Sequence, residues 1–309
     1  MENDVAIQVV NLTKHYDKLT AVDHISFAVK KGEIFGFLGP NGAGKTTTIR
    51  MLTGVMGLDE GSASILGYKA GSLKAKQIIG VLPEMANAYS DLSGWNNLMF
   101  VAELYGVPAG KAREKGAEFL QAIGLFSRKD DKVMAYSKGM KQRLILCMAL
   151  ISEPQVLFLD EPTSGLDVQS ARLINDMLRS LNASGKTIFL TTHDMDEANQ
   201  LCRRVAIINQ GKIVAIDAPE KLRLATSGMH PVEVSFSDLA SPEALAKLPG
   251  VNAVKTMGDK YRLYTAEPGE LVASLVNYSF SNGLRIVSLN TLAPTLEDAF
   301  VALTEREVK

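Results

Sequence analysis

Hydrophobic and polar residues alternate in two short runs near the start of the chain, at 5–10 and 25–29. A period of two in β-branched residues predicts antiparallel strands. GEIFGFLG, at 32–39, is a continuous apolar run that feeds a glycine turn, and a helix is predicted from 45 to about 53. From about 89 to 152 the period changes. WNNLMFVAELYG, KAREKGAEFLQAIG and MKQRLILCMALI space their apolar residues at three and four, broken by Gly, Pro and Ser, which predicts a helical insert. After Pro154 come an apolar strand (QVLFLDEP), an amphipathic helix ending at glycine (VQSARLINDMLRSLNASG) and another strand (KTIFLTTH). Strand, helix, strand implies a parallel sheet. A helix near 195–202, the strands VAIIN and IVAID, and PEKLRLATSG close a first domain at about 228.

Beyond it the runs read strand, helix, strand, strand, helix, strand, and then a last helix, LEDAFVALTE. That order is the βαββαβ plait of ferredoxin-like domains. The expected fold is therefore α/β: a mixed, largely parallel sheet core with an antiparallel β subdomain and a helical subdomain at 1–228, then a small α+β domain at 229–309. A chain of 309 residues can bury two such cores without covalent staples. Its two cysteines, Cys147 and Cys202, sit among apolar or helix-forming neighbours and read as packing thiols in a reducing compartment. With a net charge of −1 and scattered basic residues, no footprint for nucleic acid is visible. The acidic opening MENDVAIQVV lacks the layout of a signal peptide. The longest uncharged apolar run, LILCMALI, falls far short of the ~20 residues that cross a bilayer. A cytoplasmic chain is expected, and any membrane role would need a span supplied by another protein.

GPNGAGKT, at 39–46, satisfies G-x-x-x-x-G-K-[ST] between a predicted strand and a predicted helix. Gly42 and Gly44 let backbone N–H groups curl around phosphate oxygens, and the helix start adds its positive dipole end. Lys45 brings a full charge to the outer phosphates, and Thr46 offers a hydroxyl to Mg2+. Gly39, Asn41, Ala43 and Thr47 complete the loop and are assigned with it to nucleotide binding. In VLFLDEP, four apolar residues carry Asp160 to the carboxyl end of a buried strand, where open α/β sheets bind ligands, so Asp160 is expected to hold hydrated Mg2+. Glu161 follows. Repulsion between the two carboxylates, together with desolvation, should raise its proton affinity and suit it to activating the attacking water. His193 ends the strand KTIFLTT at the same rim and is expected to reach the γ-phosphate.

LGPNGAGKTT, YSKGMKQRL, FLDEPTSGLD and TTHDMDEA occur in unbroken order, and with them residues from about 5 to 225 resemble the ATP-binding subunits of ABC transporters. The resemblance implies a P-loop NTPase of ABC type, an ATPase with ATP and Mg2+ as its ligands. It also implies a second ATP-binding subunit, here a homodimer, clamped head to tail around two ATP molecules. In that arrangement Ser137 and Gly139 meet the γ-phosphate held by the facing subunit, Asp167 lies on the loop crossing the seam, and Tyr16 stacks on adenine. The residue types fit: Ser137 can cap a helix starting near Lys138, and Gly139 permits close backbone approach.

Two positions depart from the family pattern. Glu84 stands where a glutamine usually contacts Mg2+ and the attacking water; a carboxylate can take the metal but adds charge near the phosphates. Met140 stands where the signature often ends in glutamine. The stretch from Glu84 to Phe100 is where the family docks an integral membrane permease, and Trp95 and Phe100 are either anchors there or core packing. PTLEDAFVALTE is similar to the tails of ABC-2-type exporter ATPases, which implies an export system on the inner face of the cell membrane. The tail itself braces a dimer, binds a regulator or serves as a stabilising appendage. The same motifs would also serve a soluble ABC-type ATPase with a protein or nucleic-acid partner, or a nucleotide switch without transport.

Overall fold

In the computed structural model, which describes residues 4–17, 19–84, 88–225 and 230–305, the opening strands are longer than their alternation predicted. β1 (Val5–Tyr16) and β2 (Leu19–Lys30) pair antiparallel, with register shifts between Val9 and Leu12 and again around Lys14. Bulges of this kind break the period of two, which is why the outer halves of both strands carry no sequence signal. Asn11 and His24 take positive φ values of 48° and 50° along them. With β4 (Glu60–Ile65) and β5 (Tyr68–Lys69) they form a sheet in the order β2-β1-β4-β5.

The second sheet holds the site. Its order is β10-β9-β3-β8-β7-β6. β3 (Ile34–Leu38), β6 (Ile79–Leu82), β7 (Val156–Asp160), β8 (Thr187–Thr192) and β9 (Arg204–Asn209) run parallel, and β10 (Lys212–Asp217) closes one edge antiparallel. β3, β7 and β8 are buried throughout, as unbroken apolar runs require of strands covered on both faces. Phe27 of β2 stacks on Phe35 and Phe189 with ring centroids 5.7 and 5.9 Å apart, so an aromatic cluster joins the two sheets. Glu33, 2% exposed, receives Arg204 Nε and Nη2 at 2.8 and 3.0 Å. Such a bidentate pair satisfies a buried carboxylate.

Around this sheet lie α1 (Lys45–Leu52), α2 (Leu73–Ile78), α6 (Val168–Ala183) and α7 (Met195–Leu201). The helical insert consists of α3 (Gly94–Leu104), α4 (Ala109–Ala122) and α5 (Lys138–Leu150). Serine begins two of its helices: Ser93 Oγ accepts from the Asn96 N–H and Ser137 Oγ from the Met140 N–H. Among the described residues no helix is long and apolar enough to cross a membrane.

The chain divides into two units, Met1–Ala218 and Pro219–Lys309. The expected boundary at 228 falls on residues outside those described, and α8 (Pro219–Ala225), which was to close the first domain, belongs to the second unit. There it packs against α11 (Leu296–Glu305), with Leu222, Leu296 and Ala299 buried. Between them, β11 (His230–Phe236), α9 (Pro242–Ala246), β12 (Ala253–Met257), β13 (Lys260–Thr265), α10 (Pro268–Ser281) and β14 (Ile286–Thr291) form a sheet of order β12-β13-β11-β14, antiparallel throughout. This is the plait that the sequence predicted. The PTLED run has a local purpose. Thr295 Oγ1 caps α11 at the Asp298 N–H, while Asp298 accepts from the Thr295 hydroxyl and from Tyr264 OH, each at 2.7 Å, which ties the helix to the sheet.

Candidate functional site

Strand register brings the candidate residues to one rim. Leu38 pairs with Thr192, Asp160 with Thr191 and Leu82 with Leu159. Parallel strands in that register end together, so the glycine loop after β3, Glu84 after β6, Glu161 after β7 and His193 after β8 leave the sheet at the same edge.

The loop has the conformation its glycines allow. Gly42 and Gly44 have φ of 82° and 106°, and a Cβ on Gly44 would stand 2.6 Å from the Ala21 carbonyl oxygen. Gly44 precedes α1 with no side-chain cap, which leaves the first-turn N–H groups of that helix to an outside acceptor. Lys45, 5% exposed, donates to the carbonyls of Gly39 and Pro40 at 2.8 and 3.2 Å and lies 3.3 Å from Glu161 Oε1. A cleft of about 380 Å3 opens here, lined among others by Tyr16, Asn41, Gly42, Gly44, Lys45, Thr46, Thr47, Glu84 and Glu161. Gly39 and Ala43 do not line it. Both are buried, and a Cβ on Gly39 would come within 2.4 Å of the Ile208 carbonyl oxygen, so their contribution is to the shape of the loop.

Asp160 is 2% exposed and lies behind the cleft lining, where Thr191 Oγ1 donates to its Oδ1 at 2.5 Å. Glu161 has a φ of 49°, a left-handed backbone rare for a side-chain-bearing residue, and its N–H is held by both the carbonyl and the hydroxyl oxygen of Thr191 at 3.1 Å. The expected repulsion between neighbouring carboxylates is met by a cation: Glu161 is paired with Lys45. His193 Nδ1 lies 2.9 Å from Glu161 Oε2, so the histidine engages the carboxylate itself. Its ring is 54% exposed and borders a separate hollow of about 620 Å3 beside α6 and α7. Thr191 had no sequence signal as a site residue, because a threonine in an apolar run reads as an ordinary β-branched strand residue.

Tyr16 is 41% exposed at the end of β1, with its OH donating to Met56 Sδ at 2.9 Å and Lys14 Nζ 5.8 Å from the ring centroid. Ser137, Gly139 and Asp167 stand together outside the cleft. A Cβ on Gly139 would lie 2.4 Å from Ser170 Oγ and 3.5 Å from Asp167 Oδ2, so the glycine read for approach to nucleotide is also demanded by the packing of α5 on α6. Asp167 caps α6, accepting from the N–H and the hydroxyl of Ser170 at 2.8 Å, and these bonds hold its carboxyl below the ordinary range. Ser137 and Asp167 are both exposed. The open choice for the insert resolves residue by residue. Trp95 is half-buried against Gly116 of α4, a packing position, while Phe100, 37% exposed, meets Tyr89 edge-on at 5.3 Å.

A glycine loop feeding an uncapped helix, a lysine at its start, and acidic residues at the end of the next strand but one in the sheet define a P-loop nucleoside triphosphatase. The model of the ABC transporter family matches residues 22–164. The linearmycin resistance ATP-binding protein LnrL of Bacillus subtilis is 38% identical over 309 residues, covering 98% of this chain and 99% of its own. The Nod factor export ATP-binding protein I of Ralstonia nicotianae is 38% identical over 305 residues, covering 98% of this chain and 95% of its own. A solved structure described as the ATP binding subunit of an ABC transporter superposes with a TM-score of 0.66 at 27% identity, over 72% of this chain and 93% of that one. The chain belongs to the ATP-binding subunits of ABC transporters, and it is an ATPase of that family.

Proposed function

We propose that this chain hydrolyses ATP as a closed homodimer and that closure drives export through a separate membrane permease. One observation carries the reading: the phosphate-binding residues share a cleft that Ser137, Gly139 and Asp167 do not line. A helix start with an exposed serine, packed on a second helix start capped by Asp167, suits the γ-phosphate of a facing subunit. Moving such a clamp from mostly open to mostly closed takes about 5.5 kcal/mol, a demand that two shared nucleotides can meet together.

Within one site Lys45 neutralises the outer phosphates, Tyr16 offers its ring to adenine, and Glu161 takes the proton of the attacking water while His193 orients it. The donor set fits Mg2+: Thr46 and Asp160 would hold it with Glu84 beside them. Among the described residues no cluster of three or more His, Cys, Asp or Glu could form an all-protein cage, and Mg2+ keeps waters and phosphate oxygens as most of its ligands. Bound there, the ion would neutralise phosphate charge. Export is supported by the name of the Nod factor export relative. A permease contact is supported by the exposed apolar residues Tyr89, Leu92, Phe100 and Leu104 around α3. They would place the chain on the cytoplasmic face of the membrane.

Glu161→Gln tests the core of this. It should abolish steady-state phosphate release, leave ATP binding intact, and give an ATP-dependent dimer by light scattering. Undiminished turnover would refute the assignment of the base.

A further inference from the structure

The segment after Glu161 and the segment after His193 are joined twice. The outer join is the 2.9 Å contact between His193 Nδ1 and Glu161 Oε2, open to solvent on the histidine side. The inner join lies two residues further along one segment and four along the other, where Thr163 Oγ1 donates to Glu197 Oε1 at 2.6 Å. Glu197 is 6% exposed. Thr163, Thr192, Asn175 and the Asp194 carboxylate surround it, and none of these is a cation. A buried carboxyl without a cation is a costly feature in a short helix, and an apolar residue there would be cheaper.

Glu197 Oε2 and Asn175 Oδ1 are both buried without a hydrogen-bond partner, and the Asn175 side chain lies within hydrogen-bonding reach of the carboxyl. A neutral carboxyl fits these surroundings, because the proton on Oε2 makes that buried oxygen a donor while Oε1 accepts from Thr163. Burial pushes the Glu197 carboxyl up from the ordinary range, in the direction this requires. Asn175 belongs to α6 and Thr163 to the turn before it, so the side chain of one residue on α7 spans both.

We propose that Glu197 is a positioning residue for ATP hydrolysis, an uncharged strut that holds Thr163 and Asn175 against α7 and thereby sets the distance between Glu161 and His193. The left-handed backbone of Glu161 makes such a strut necessary: a strained residue keeps its conformation only where its neighbours over-determine it. Thr191 fixes the N–H of Glu161 from one side, and Thr163, two residues on, is fixed by Glu197 from the other. The proposal rests on the roles given above to Glu161 and His193.

Steady-state ATPase measurements on the full-length chain test it, with Glu161→Gln as the reference for lost chemistry. Glu197→Ala and Thr163→Val should each lower kcat roughly ten- to hundredfold with KM for ATP unchanged, as misplacement of a reacting group by about an ångström does. Glu197→Gln, which keeps the acceptor for Thr163 without a charge, should restore most of the turnover, and so should Thr163→Ser. If Glu197→Ala does not fold, the Thr163→Val and Thr163→Ser pair decides the matter. Turnover lost in Glu161→Gln but intact in Thr163→Val overturns the strut alone. Loss in Glu197→Gln as deep as in Glu197→Ala overturns it too, because the charge would then be what matters. Turnover that survives Glu161→Gln overturns the catalytic reading and the strut together.

Discussion

At the scale of single residues, the site is built from groups that would be unfavourable anywhere else. Glu161 holds a left-handed backbone, Lys45 is buried with its charge against that carboxylate, and Glu197 is buried with no cation beside it. The last of these makes stability depend on pH. Below its ordinary value of 4.5, Glu197 is protonated in both the folded and the unfolded chain and carries no penalty. As pH rises above that value the unfolded chain releases the proton while the folded chain retains it, so stability falls until the raised folded value is passed. Glu197→Gln removes the group that titrates. Calorimetry should therefore find a higher Tm for Glu197→Gln near neutral pH, with the gain shrinking as the pH approaches 4.5. A gain of equal size at both ends would show that ionisation is not its source.

At the scale of elements, helix starts divide the work. α1 begins without a side-chain cap and leaves its first N–H groups to an outside acceptor, whereas α5 and α6 are capped by Ser137 and Asp167 and packed on each other through Gly139. Two effects oppose each other at Gly139. Alanine would favour the helix by at most roughly 0.5–1 kcal/mol, the interior value, since Gly139 lies in the first turn of α5. Its Cβ would also lie 2.4 Å from Ser170 Oγ, which cannot turn away without giving up its bond to Asp167. Overpacking of that kind costs about 1–3 kcal/mol and should win. Gly139→Ala is expected to lower Tm, and Ser170→Ala in the same chain to recover part of the loss, since it removes the closest atom and relaxes the Asp167 cap. A Tm raised by Gly139→Ala would mean that α5 and α6 separate freely.

At the scale of the whole molecule, the proposed clamp divides catalysis between two chains, since Ser137, Gly139 and Asp167 do not line the cleft of their own chain. Ser137→Arg, on an exposed helix start outside the cleft, is expected to leave ATP affinity as it is and to reduce turnover on the order of a hundredfold or more, the size of effect seen when one donor to a developing negative charge is lost. Equal loss of affinity and turnover, measured by nucleotide titration beside phosphate release, would place Ser137 in its own chain's site. The second unit has its own core around Val232, Val234, Leu263 and Leu271, and it takes α8 with it.

Local chemistry was legible in the sequence because it needs fixed spacing. A phosphate loop must place its glycines and lysine within a few bonds, a strand must be apolar to be buried, and a cap must sit at the first turn of its helix, so GPNGAGKT, VLFLDEP, YSKGM and the βαββαβ order could be read directly. What depends on partners distant along the chain could not be read. The bulges of β1 and β2 hid half of each strand, α8 looked like an ending until its contact with α11 joined it to the second unit, and Trp95 met Gly116 only once α3 and α4 had packed. The same holds for Thr191 against Asp160, Lys45 against Glu161 and Thr163 against Glu197. Each joins residues more than thirty positions apart, and a hydrogen bond across such a gap exists only where strand register and helix packing bring its two ends within about 3 Å.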